Sequence, residues 1–100
     1  MEKYLVILEP GEQNWSAYSP DVLGCVATGQ TVKETVQRMT EALSWHLQDL
    51  SRQGESLPVA QGIVAHSAEI NSLAGDLFTL VPVELNRVDT VLTPAQWAYA

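Results

Sequence analysis

The chain has 100 residues, 46% of them hydrophobic, and carries twelve acidic against five basic side chains, a formal net charge of −7. Its cations Lys3, Lys33, Arg38, Arg52 and Arg87 are scattered, whereas phosphate binding needs several acting together, so direct nucleic-acid binding is not expected. One small domain is implied, able to bury a core and apt to gain from oligomerisation. With one cysteine, no leader-like N-terminus and no apolar run near the roughly 18 residues of a membrane span, a soluble cytoplasmic protein without an internal disulfide is expected.

Tyr4-Leu5-Val6-Ile7-Leu8 is an apolar, β-branched run ending at Pro10-Gly11, which reads as a first strand followed by a hairpin loop over residues 9–14. Trp15-Ser16-Ala17-Tyr18-Ser19 alternates large and small residues as a second strand, with Trp15, Ala17 and Ser19 on one face. Residues 20–24 lead to a third strand of small residues, Gly24-Cys25-Val26-Ala27-Thr28-Gly29. The three form an antiparallel meander with an apolar face to be covered.

Thr31-Val32-Lys33-Glu34 opens the cover. With Thr31 at the N-cap, its hydroxyl accepts from the Glu34 N–H and the Glu34 carboxylate reaches back to the Thr31 N–H, a capping box. Val32, Val36, Met39, Leu43, Leu47 and Leu50 then keep to one stripe of a helix over residues 32–53, which Gly54 stops. Beyond it, residues 59–76 are an insert rich in Ala, Gly, Ser and Gln, with one helical turn expected over 67–73. Residues 77–85 read as a fourth strand that Pro82 places at an edge or bulge, and residues 86–100 as a short tail with a helical turn over 94–99.

Taken together, Tyr4-Leu5-Val6, the aromatic second strand, Pro20-Asp21-Val22-Leu23-Gly24-Cys25, Gly29-Gln30-Thr31-Val32-Lys33-Glu34, Glu41-Ala42-Leu43 and Gly54-Glu55-Ser56-Leu57-Pro58 resemble the HicB-like antitoxin family. The resemblance implies an α+β domain of β-β-β-α-β order, an antiparallel sheet packed on one long helix as a partial ribonuclease-H-like fold without nuclease activity. It further implies binding and silencing of a small toxin ribonuclease of the HicA type. Many members carry a C-terminal DNA-binding module. This chain departs from them, reading as a domain over residues 1–85 with the insert inside it and a tail, 86–100, too short for such a module.

The suggestive side chains have plain readings. Cys25 has no Lys, Arg or His close in sequence to lower its pKa, so a small buried residue is expected, not a reactive thiol. His46 and His66 lack a second ligand at metal spacing and read as helix-surface and loop histidines. Glu9, Asp21, Glu34 and Glu41 fall on different elements, which disfavours the converging carboxylates of a two-metal nuclease. No enzyme, metal or cofactor is expected.

The function class that remains is an interaction domain: an antitoxin-like inhibitor acting by steric occlusion, or a homo-oligomeric adaptor on the same scaffold without a toxin. For the first, Glu9, Glu12 and Asp21 are candidates for steering a basic partner. Trp45 lies off the apolar stripe, either as a projecting hot spot or as part of a wider face packed under the insert. Trp97 and Tyr99 lack the cationic surroundings of a base-stacking site and fit docking on the body or on a second copy.

Overall fold

The structure is a computed structural model that describes residues 2–83. Strands β1 (Glu2–Pro10), β2 (Trp15–Ser19) and β3 (Val22–Gly29) are followed by helix α1 (Val32–Arg52), a short helix α2 (Gly62–Ala65), 3-10 turns at Ser67–Glu69 and Ser72–Ala74, and strand β4 (Leu77–Val83). All strand pairs are antiparallel in the order β3-β2-β1-β4. The expected α+β class and β-β-β-α-β order are both observed; the helical turn expected over residues 67–73 is met by two 3-10 turns, and α2 is an addition within the insert.

Strand β1 is central and buried on both faces: Tyr4, Leu5, Val6, Ile7 and Leu8 are at most 1% exposed. Its even residues Tyr4, Val6 and Leu8 join Ala17, Val22, Cys25, Val81 and Val83 beneath Met39, Leu43 and Leu47 of α1. Leu5 and Ile7 point the other way. The segment after α1 starts on the helix side, where Leu57 and Ala60 pack on the core and the Tyr4 hydroxyl donates to the Pro58 carbonyl at 2.7 Å. It then packs α2 against β1. The insert thereby supplies a second cover for a sheet that the sequence reading had assigned to the helix alone.

The helix begins as its sequence requires, with one correction. Thr31 is the extended N-cap and its Oγ1 accepts from the Glu34 N–H at 3.0 Å. The Glu34 carboxylate, however, accepts from the Gln30 N–H at 2.8 Å instead of that of Thr31. Thr35 is also fully buried, donating through Oγ1 to the Thr31 carbonyl at 2.7 Å. A Cβ on Gly29 would stand 2.6 Å from Thr35 Oγ1 and 2.9 Å from its nitrogen, so the end of β3 approaches the helix start as only glycine allows. The helix ends at Arg52, with Gln53 as its C-cap.

Strand boundaries differ at two places. β1 extends through Pro10, shortening the loop to residues 11–14, which Gly11 closes by donating to the Asn14 carbonyl at 2.7 Å. β3 starts at Val22, because the register shifts between Tyr18↔Val26 and Ser19↔Val22 and leaves Leu23, Gly24 and Cys25 as the bulged residues. Gly24 there has φ +84°, a left-handed conformation that glycine adopts without strain. Among the described residues Pro82 lies on an outer strand, in line with the expected edge position, and the β1–β4 register runs without a shift. The readings of Trp97, Tyr99 and the tail fall outside the described residues.

The cap gives a direct test. Thr31→Ala should lower stability by about 0.5–2 kcal/mol, while exposed Lys33→Ala should stay within about 0.5 kcal/mol of wild type. Denaturation midpoints measured side by side distinguish them, and equal midpoints would dismiss the cap.

Candidate functional site

Three features of the surface are set by the fold. The first is an internal clasp. His66, in the insert, places Nε2 2.6 Å from Asp21 Oδ1 and Nδ1 3.2 Å from Glu69 Oε1, while the Gln61 N–H donates to Asp21 Oδ2 at 3.0 Å. The Asp21 side chain is 1% exposed. The hydrogen bond to Asp21 raises the His66 pKa above its ordinary value; burial opposes this, and Glu69 adds to it. With both ring nitrogens facing carboxylates, the imidazolium is a double donor with no lone pair left for proton abstraction. The arrangement therefore fastens the insert to the β2–β3 turn.

The clasp corrects two readings. Asp21 is buried and spends both oxygens internally, so it does not present an exposed charge to a partner. His66 is no plain loop histidine. The available signal was Glu69 three residues after His66, which a single helical turn brings together; its pairing with Asp21 was not readable from spacing. The Cys25 thiol, in contrast, is 5% exposed and burial raises its pKa, which fits a packing role.

The second feature is a groove of about 380 Å³ between the β3 bulge and α1, lined by Gly24, Cys25, Val26, Ala42, Trp45, His46 and Asp49. Trp45 is 52% exposed, and the bulge turns Leu23 outward next to exposed Val26. The large apolar surface of Trp45 thus sits beside an outer strand. Glu9 and Glu12, at the β1–β2 turn, are exposed but lie at the other end of the sheet, beside the start of α1. At ~1.5 Å per residue, Trp45 is about 20 Å along the helix from that end. The steering candidates and Trp45 are therefore not one cluster.

The third feature is chemical. Among the described residues no group of three or more His, Cys, Asp or Glu side chains is placed to hold a metal ion. Glu34, one of the four acids considered as nuclease carboxylates, is occupied by the Gln30 N–H and lies 3.7 Å from Arg38 Nη1. Arg38 Nη1 in turn donates to the Thr28 carbonyl of β3 at 3.0 Å. No described helix is long and apolar enough to cross a membrane.

The described residues thus form an α+β domain in which the Asp21 and Glu34 carboxylates are engaged in internal hydrogen bonds and Trp45 is half-exposed beside the β3 bulge. The chain belongs to the HicB_like antitoxin family of bacterial toxin-antitoxin systems, whose sequence pattern it matches over residues 4–94. Its fold is similar to the crystal structure of the Burkholderia pseudomallei antitoxin HicB, with a TM-score of 0.78 and 20% identity over 99% of this chain and 78% of the other. It is also similar to the antitoxin HicB3 (TM-score 0.69, 17% identity, 97% of this chain and 78% of the other). A chain of a HicA3 and HicB3 toxin-antitoxin complex matches with a TM-score of 0.65 and 20% identity over 82% of this chain and 98% of the other. No curated protein matches.

The clasp makes stability depend on pH with a definite sign. The folded pKa of His66 lies above its unfolded value, so its contribution is complete below about 6.5 and is lost as pH rises through the folded value. His66→Gln should therefore destabilise the protein most at acidic pH, with the gap to wild type narrowing in alkali. Melting curves across that range measure it, and a gap that widened with pH would reverse the assignment.

Proposed function

We propose that this chain is the inhibitory partner of a small basic ribonuclease of the HicA type, and that it silences this toxin by occupying its RNA-binding face without cleaving RNA or binding operator DNA itself. The observation that carries the reading is the family match over residues 4–94. The similarity to a chain found in a HicA3 and HicB3 complex supports the kind of partner. The charge supports the encounter: at −7, the chain attracts a basic protein over a distance and repels nucleic acid.

Contact and steering separate into two regions. Exposed Glu9 and Glu12 at the β1–β2 turn contribute to the attracting field. Trp45, in its groove against the β3 bulge, is an apolar anchor of the type that dominates interface energies. Asp21 has no direct part, since its carboxylate holds the insert.

Binding kinetics against the product of a neighbouring small basic gene separate these roles. Rising salt and the double variant Glu9→Gln/Glu12→Gln should slow association with little change in dissociation. Trp45→Ala should instead speed dissociation, by about 30-fold for a hot spot of about 2 kcal/mol. Co-expression tests the function itself. If the neighbouring product is not toxic, or its toxicity is indifferent to this chain, the inhibitor reading fails and an adaptor on the same scaffold replaces it.

A further inference from the structure

Residues 61–76 of the insert are tied to the rest of the chain at one point. Among the described residues, the hydrogen bonds that leave this segment both end on Asp21: the Gln61 N–H donates to Oδ2 at 3.0 Å, and His66 Nε2 stands 2.6 Å from Oδ1. Its other hydrogen bonds are internal. The short turns close on themselves, and Asn71 and Asp76 bond to each other twice, Asn71 N–H to the Asp76 carboxylate and Asp76 N–H to the Asn71 carbonyl. The apolar attachment is partial: Ile63 and Ile70 are half-buried, and no residue of α2 or the 3-10 turns is fully so. The chain just before is held more firmly, with Leu57 and Ala60 packed on the core and Pro58 bonded to the Tyr4 hydroxyl. Gly62 and Gly75 stand at the two ends of the loosely held part, at φ +86° and +92°. Residues at such ends absorb the backbone rotation of a hinge.

Charged and titratable groups reach His66 from several elements. Asp21, whose side chain is 1% exposed, faces Nε2 from the β2–β3 turn, and Glu69 faces Nδ1 at 3.2 Å from within the insert. Alternation puts Lys3 and Glu9 of β1 and Tyr18 of β2 on the sheet face opposite α1, while β3 and β4 contribute no charged side chain. Burial, then Glu9, Glu69 and Asp76, raises the Tyr18 pKa; burial, then Glu2 and Asp21, raises that of Tyr4. Both phenols therefore stay neutral where a histidine titrates. A neutral His66 would keep one ring N–H. Spent on Asp21, it leaves a lone pair against Glu69; spent on Glu69, it leaves one against the buried Asp21.

We propose that the segment between Gly62 and Gly75 is a lid that opens as a unit about these glycines, with the His66 imidazolium seated between Asp21 and Glu69 as its latch. Opening returns the ring to water, where it holds its proton less tightly than in the closed form. The closed form has the higher histidine pKa, chiefly through the hydrogen bond to Asp21, so the latch is complete below about pH 6.5 and is lost as pH rises through the folded value. Opening thus releases a proton and is driven by alkali. The core beneath α1 lies on the other face of the sheet and takes no part. Opening also sets free Asp21 Oδ1, which His66 otherwise occupies.

Amide hydrogen exchange of the full chain, corrected at each pH for the rate of an unstructured chain, reads the opening. Protection over residues 62–75 should be level below about pH 6.5. Above it, protection should fall by at most about tenfold per pH unit, the limit for one linked proton, and level again at the His66 midpoint measured by NMR. Protection in α1 should hold throughout. His66→Gln should leave the lid weakly protected at every pH. Asp21→Asn should flatten the dependence more than Glu69→Gln, following the order in which the two carboxylates hold the ring. Circular dichroism confirms the fold of each variant, and should one not fold, agreement between the upper plateau and the NMR midpoint in wild type decides. The proposal is overturned if lid and α1 lose protection together, if lid protection is indifferent to pH, or if His66→Gln keeps the wild-type dependence. The latch needs no toxin, so its outcome is read separately from that of the inhibitor.

Discussion

Burial of β1 on both faces is the constraint on which the rest of the structure depends. Five consecutive side chains, Tyr4 to Leu8, are removed from water, and alternate ones point to opposite sides of the sheet. One cover cannot serve both. The long helix takes the even residues, and the chain beyond it must come round to shield Leu5 and Ile7. The Tyr4–Pro58 hydrogen bond holds the start of that path and the Asp21–His66 contact holds it further on. The clasp is thus a consequence of the composition of β1, and it is why an acid in the β2–β3 turn is occupied inside the molecule.

Elements governed by local rules were legible in the sequence. The stripe from Val32 to Leu50, the Thr31 cap and the Gly54 stop locate α1, because helix periodicity and capping chemistry act within a few residues. The same holds for the meander, whose strands alternate or end at Pro and Gly. The double burial of β1 was present as an unbroken apolar run, yet a run of that kind does not say what covers its second face. That depended on the insert, whose short turns lack periodicity. The bulge at Leu23–Cys25 was hidden for a similar reason: it follows from pairing with β2, not from residue order.

The surface was less legible than the core. Acidic residues near turns look exposed in a sequence, and Glu9 and Glu12 are, but Asp21 is drawn inward by a histidine 45 positions away. Trp45 presented two readings because it lies off the apolar stripe, and its half-exposed position against the bulge favours the projecting one. Pro82 pointed to the strand that is outermost among the described residues, since a proline cannot complete a ladder on both sides. Long-range pairing of charges belongs to tertiary structure. The family resemblance, carried by local motifs spread along the chain, reached further than any single element.

The two covers of β1 differ in kind. α1 is a 21-residue helix that buries Thr35, Met39, Leu43 and Leu47, whereas α2 and the two 3-10 turns bury no residue of their own. Cooperative units with few buried contacts open at lower free energy than the fold as a whole. The insert is such a unit. Where it opens, β1 loses the cover that α2 gives it, and amide exchange in α2 and the turns runs ahead of that in α1. A protease would find the chain between Gly54 and Asp76 first, in a molecule whose helix and meander are still folded.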